Sequence, residues 1–282
     1  MRIPPLALAA LALGAYPGAT SGAQPVTYRW SVGDTLRYRN TTKMEGVVHG
    51  AAGDAPFTLS RNAVYAFAFG TGEAPLTAWY ESLSLDASGA LGGNKPNPQD
   101  LLRLPYHLRM EPNGRVLTIK APTLPRTARL IAELSPQLDD FFPRLPVSGS
   151  VPPGMAWTDT VTHSENDPSG HHVSIRRISH YRAARDSVVD GKAAIVITQH
   201  TDVRITTSSP MHQQPFVTDL SLTGDEDATA LFSVADGRML FRERNGELRG
   251  AVTYKGGDEP WVVNQTYHFH RTDVLEPQAK HF

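Results

Sequence analysis

Hydrophobic and polar residues alternate along most of the chain. Val26, Tyr28, Trp30 and Val32 fall on one side of an extended segment, with Thr27, Arg29 and Ser31 on the other. That two-residue period predicts a half-buried strand. The same period runs through Ile195, Ile197, Val203 and Ile205 within Lys192 to Thr207, through Leu248, Val252 and Tyr254, and through Trp261, Val263, Tyr267 and Phe269. Asn113-Gly114, Asp190-Gly191, Asp236-Gly237 and Asn245-Gly246 punctuate these runs; such dipeptides tolerate the positive φ of tight hairpin turns. Strands joined so tightly pair antiparallel, because a parallel neighbour needs a long crossover. The pattern predicts a mainly β fold built of curved antiparallel sheet, with a meander from about Val173 to Thr272.

One stretch breaks the alternation. Leu130, Ile131, Leu134, Leu138, Phe141 and Phe142 are spaced mostly by three or four, as on one face of a helix. Pro136 would cost a helix interior a hydrogen bond. Ser135 can cap a second helix that starts with that proline. The expectation is a short kinked helical insert whose apolar stripe covers one face of the sheet.

The flanking regions look alike. Gly33 and Gly154 each open a strand and lie 121 residues apart, while the Gly114-Arg115 and Gly237-Arg238 hairpins lie 123 apart. Offsets this similar, and too long for a solenoid, predict two similar halves. The chain then divides into a first β-rich half (24–123), a helical insert and Pro-rich linker (124–153), a second β-rich half (154–273) and a tail (274–282).

The N-terminus changes the setting. Arg2 precedes an apolar stretch from Ile3 to Leu13, and Ser21 and Ala23 stand at the −3 and −1 positions of a cleavage site before Gln24. This is the three-part pattern of a secretory signal peptide (1–23), too short to span a bilayer. A periplasmic or secreted location is expected after cleavage near Ala23. With no cysteine in the chain, a lipobox anchor and disulfides are both ruled out. A net charge of −1 and a pI near 6.8 give no basic footprint for nucleic acid. No second apolar run reaches membrane-spanning length.

Catalytic chemistry is hard to find. The chain has no Gly-x-Ser-x-Gly elbow, no Ser-x-x-Lys, no His-Glu-x-x-His and no Gly-rich phosphate loop, so no enzyme activity and no cofactor is expected. His163, Glu165, His171 and His172 cluster in one polar stretch and are candidate metal ligands, although their spacing matches no tetrahedral pattern. His268 and His270 share the polar side of a strand, where solvent exposure accounts for them. Asp225, Glu226 and Asp227 offer too few oxygens for calcium and read as a solvated turn. Asp139 and Asp140, adjacent in the second short helix, diverge too far for an acid-base pair. Trp30, Trp157, Leu130, Leu134 and Phe141 are the candidate ligand-binding residues, if the sheet curls around an apolar cavity lidded by the kinked helices.

The segments Phe142-Pro143-Arg144-Leu145-Pro146 and Pro153 to Thr160 resemble a recurrent feature of exported bacterial proteins of unknown function. The layout of signal, curved antiparallel sheet and covering helices is similar to that of periplasmic lipoprotein-localisation carriers. The resemblance implies a carrier of an apolar or lipid-like ligand; it transfers no ligand-binding residue. The expected function is therefore an exported, non-enzymatic binding protein. Two alternatives stand beside it: an envelope scaffold or interaction module that pairs through strand edges, and a metal-dependent hydrolase built on the His163 to His172 stretch.

Overall fold

Strand follows strand through short turns, as the alternation requires. The computed structural model describes residues 26–51, 53–89, 97–123, 138–147, 149–166, 170–210, 217–256 and 259–277, with the backbone alone at 165. The strands are β1 (Thr35–Gly50), β2 (Gly53–Phe69), β3 (Leu76–Gly89), β4 (Tyr106–Met110), β5 (Val116–Lys120), β6 (Ala156–Asn166), β7 (His172–Val189), β8 (Lys192–Pro210), β9 (Val217–Ser233), β10 (Arg238–Lys255) and β11 (Trp261–Leu275). They form one antiparallel sheet in the order β5-β4-β3-β2-β1-β11-β10-β9-β8-β7-β6. Helical geometry among the described residues is limited to a 3-10 turn (Pro98–Leu101) and a turn beginning at Leu138. No helix among them is long and apolar enough to cross a membrane.

The order joins two meanders, β1 to β5 and β6 to β11, through the β1–β11 pair. The division at 124–153 therefore separates two runs of strands that lie in a single sheet and feed one core. Tyr38, Tyr65, Phe67 and Leu76 come from the first run, and Tyr181, Ile195, Ile197, Phe232 and Met239 from the second. Leu138, Phe141 and Phe142 pack between them, fully buried or nearly so. The Phe141 ring centroid lies 5.0 Å from Phe67, 5.2 Å from Tyr38 and 5.4 Å from Tyr65. Of the kinked helical insert, residues 124–137, including Leu130 and Leu134, lie outside the described residues.

Turn chemistry behaves as expected at three of four sites. Asp190 (φ 49°) and Gly191 (φ 75°) both take positive φ between β7 and β8, as the two-residue hairpin turn demands. Asn113-Gly114 and Asp236-Gly237 turn β4 into β5 and β9 into β10. Asn245-Gly246 does not turn the chain; it lies within β10, with Gly246 directly opposite Phe269. A Cβ on Gly246 would come 2.5 Å from the Phe269 ring, so this glycine makes room for an aromatic side chain on the next strand.

Two further expectations are corrected. Residues 26–31 belong to no strand, and Val32 lies in a turn closed by Asp34 N on Ser31 O. Their amides bond to loops: Val26 to Gly149 O, Tyr28 to Pro112 O and Arg29 to Gly237 O. The alternation there reports burial beneath the sheet, with Val26 and Tyr28 inside and Val32 outside, and burial of one side does not require a ladder. Asp225, Glu226 and Asp227 are no solvated turn; they sit mid-strand in β9, with Glu226 buried.

Candidate functional site: the inner face of the sheet

Because successive side chains alternate between faces, the registers assemble the inner face row by row. At the base lies the aromatic core. Above it runs Ala230–Arg242–Asp273–Asn40–Ala63 across β9, β10, β11, β1 and β2. The next row is Tyr181–Gln199–Ala228–Arg244–Arg271–Thr42–Arg61, starting from β7 and β8. Arg61, Arg242, Arg244, Arg271, Asp273, Glu226 and Gln199 are all buried. The middle of the inner face is thus a belt of charge.

The belt is a connected hydrogen-bond network that grips the segment from Leu138 to Leu145. Arg244 Nη1 lies 2.9 Å from the Asp140 carboxylate and 3.4 Å from Glu226, and its Nη2 is 3.6 Å from Asp273. Arg242 donates to the Asp140 and Phe141 carbonyls and, at 2.7 Å, to Gln199 Oε1. Gln199 in turn donates to Ser179 (3.0 Å) and Thr201 (2.7 Å). Arg271 pairs with Asp273 at 3.0 Å, and Asn40 donates to Asp273 at 2.7 Å. Burial alone would raise the Asp140 carboxyl, but Arg242, Arg177, Arg244 and Arg144 outweigh it and hold the group well below the usual carboxylate range. Asp273 is likewise lowered against the pull of burial, by Arg271 and Arg244. Buried arginine and carboxylate persist here through pairing, with Arg244 reaching Asp140, Glu226 and Asp273, and Arg271 held on Asp273; unpaired, either would cost several kcal/mol, on the order of 3–5.

Beyond the belt the face turns apolar again. Phe57, Val173, Ile175, Val203, Leu222, Leu248 and Val263 are buried, point inward and stand apart from the main core cluster. One row reads Arg177–Val203–Gly224–Leu248–Tyr267–Gly46–Phe57, large side chains alternating with glycine. Small positions beside large ones let inner-face side chains fit a curled sheet. Burial pushes the Tyr267 hydroxyl up to about 12, with Arg177 pulling the other way, which sets this tyrosine where belt and apolar zone meet.

The residues singled out from sequence separate on this frame. Phe141 sits in the filled core, with Arg271 over its ring at 5.5 Å. Trp30 stacks on Phe69 (5.2 Å) and Trp157 on Tyr181 (5.5 Å), both against the core, and Trp157 Nε1 donates to Arg144 O at 2.9 Å. His163 faces inward opposite Ile175 and bonds Asp139 at 3.0 Å. His172, opposite Asn166, points to the other face and bonds its side-chain oxygen at 2.7 Å. His171 bonds Ser209 Oγ. The three imidazoles thus have three different partners on two faces. On the outer face His268 and His270 share a polar depression of about 470 Å³ with Lys43, Glu45, Asp225 and Glu247. Among the described residues no group of three or more His, Asp or Glu side chains is arranged to hold a metal ion. Asp139 and Asp140 do diverge, the first to His163 and the second into the belt.

Sequence reasoning missed the belt. Its signal was the inward period itself. In β10 the inward series Leu248, Val252 and Tyr254 extends backwards onto Arg242 and Arg244, and in β11 the series Val263, Tyr267 and Phe269 extends onto Arg271 and Asp273. No protein-family model, no curated protein and no solved structure matches the chain.

Proposed function

We propose that the chain is an exported, non-enzymatic binding protein that carries an apolar or lipid-like ligand on the upper, apolar zone of its inner face. The observation behind this reading is the partition of that face: a sealed aromatic base, a belt of buried charge, and a second apolar zone beyond it. A fold selected for stability alone gains little from such a belt, since hydrophobic replacement of buried ion pairs is often neutral or stabilising. The belt makes sense as a floor. It anchors the Leu138–Leu145 segment to the sheet and keeps the main core closed while the zone above exchanges its contents. Pockets that take apolar ligands are built this way, with apolar walls and a few placed polar groups; here Arg177 and Tyr267 stand at the boundary. The signal-like pattern of the N-terminus points in the same direction.

Native mass spectrometry of the exported protein, purified without detergent, tests the reading. The expected result is an added mass of lipid size that is lost on denaturation. A Leu248→Asn variant, altered in the upper zone and not in the base, is expected to lose that mass and stoichiometric uptake of an apolar fluorescent probe while keeping its near-UV circular dichroism. A bare polypeptide that also takes up no probe would overturn the proposal.

A further inference from the structure

The outer face of the sheet follows the same registers as the inner one, and it sorts its charges into rows. Arg176 on β7 stands directly opposite Arg204 on β8, and Thr223 on β9 and Arg249 on β10 continue that row. Two residues away along each strand, Asp202, Asp225 and Glu247 stand side by side on β8, β9 and β10, and their row continues through His268 to Glu45. The two rows lie about 7 Å apart, and neighbours within a row about 5 Å. The three arginines, Asp202 and Asp225 are exposed, and Glu247 is half-buried.

Like charges directly opposite one another weaken a sheet, and here a basic and an acidic row of them adjoin without joining. Among the described residues no side chain of the three arginines, of Asp202 or of Asp225 makes a hydrogen bond or ion pair. The field of the acidic row is felt one row further along instead. There the His200 imidazole is raised by its hydrogen bond to Asp227 and further by the charges of Asp227, Asp202 and Asp225. β8 and β10 thus each present an arginine and, two residues away, a carboxylate that does not pair with it.

We propose that this face is the contact surface for a second copy of the chain, in a two-fold symmetric dimer. The axis crosses the strands at the level of Arg177, Val203, Gly224 and Leu248, midway between the two rows. Rotation about it lays the basic row of each copy on the acidic row of the other. Arg204 then faces Asp202 of the second copy and Arg249 faces Glu247, each twice, as an isologous contact requires. Thr223 presents its hydroxyl to Asp225, and Arg176 lands opposite Ile178, one strand from Asp202. One row further out, Thr206 and Ser221 meet His200 and Asp227, so like charges are not brought together. A second copy fits better than an unrelated partner because the rows complement each other strand by strand, and complementarity of this kind fixes register and orientation. Exposed ion pairs contribute little singly, so the dimer is weak and salt-sensitive. It uses the face opposite to the apolar zone and stands or falls independently of ligand carriage.

The test is analytical sedimentation of the whole exported chain at low and high salt. The expected result is a monomer–dimer equilibrium in low salt whose dissociation constant rises severalfold in high salt, as screening requires. Arg204→Glu with Arg249→Glu makes both rows acidic, and Asp202→Arg with Glu247→Arg makes both basic. Each double variant is expected to sediment as a monomer on its own, with unchanged near-UV circular dichroism, while an equal mixture of the two regains the dimer. A wild-type monomer at submillimolar concentration in low salt would overturn the proposal, as would a dimer that either double variant leaves intact. A mixture that stays monomeric would do so too, because the loss in each variant would then have a cause other than complementary rows.

Discussion

Asp140 sits where the arginines of the belt converge. Its carboxylate meets the buried Arg244 at 2.9 Å and Arg242 at 3.6 Å, and the half-buried Arg177 at 4.0 Å. Removing its charge strands that cluster of guanidinium groups without water, so Asp140→Asn is expected to destabilise the protein by about 3–5 kcal/mol at neutral pH. The pH dependence has a definite sign. The folded carboxyl titrates below its unfolded value of about 4, so its contribution is complete above that pH and disappears as pH falls further, when the unfolded state takes up the proton first. Urea unfolding at pH 7, 5 and 3 should show wild type losing stability between the last two points, with the gap to Asp140→Asn narrowing there. Equal stability of the two proteins at pH 7 would contradict the belt's role. From sequence alone Asp140 read only as one of two diverging aspartates in a short helix, because nothing local announces that arginines from β7 and β10, more than thirty residues away, converge on it.

At the scale of the strand, the hydrophobic period was legible and the glycines were not. The runs through Ile195 to Ile205 and Trp261 to Phe269 became β8 and β11 with the expected inward faces. Asn245-Gly246 carried a strong hairpin signature and still lies mid-strand, since a glycine can serve a neighbouring strand as readily as a turn. Gly246 admits the Phe269 ring and Gly46 admits Phe57, in each case with room for no Cβ beyond 2.5 Å. Neither has positive φ, so the demand is purely one of space. Gly246→Ala is therefore expected to cost about 1–3 kcal/mol through overpacking. Adding Phe269→Ala should recover part of that loss, making the pair clearly non-additive in a denaturation cycle, as contacting residues are. Strict additivity would mean that the ring and the glycine do not share the site.

At the scale of the molecule, the sequence divides the chain where the sheet does not. The matching glycines near 33 and 154 and the two Gly-Arg hairpins suggested similar halves, and both hairpins do turn at the same end of the sheet, where Tyr28 N bonds Pro112 O and Arg29 N bonds Gly237 O. Yet β1 and β11 are hydrogen-bonded from Tyr38–Leu275 to His49–Asn264, and Tyr38 Oη donates to Met239 O at 2.9 Å across the middle of the core. Long-range pairing of this kind is invisible to a local period, which reports only that a strand has an inside. The consequence is cooperative. Residues 24–123 alone would expose Tyr38, Tyr65 and Phe67, now covered by Phe141 and Phe142, and would leave β1 as a sixteen-residue open edge. Expressed separately, that fragment is expected to lack near-UV circular dichroism and native-like protection from hydrogen exchange. The whole chain should unfold in one step, with tryptophan fluorescence and far-UV signals coincident. An independently folded fragment, or two resolved transitions in the intact protein, would show that each run of strands holds a core of its own.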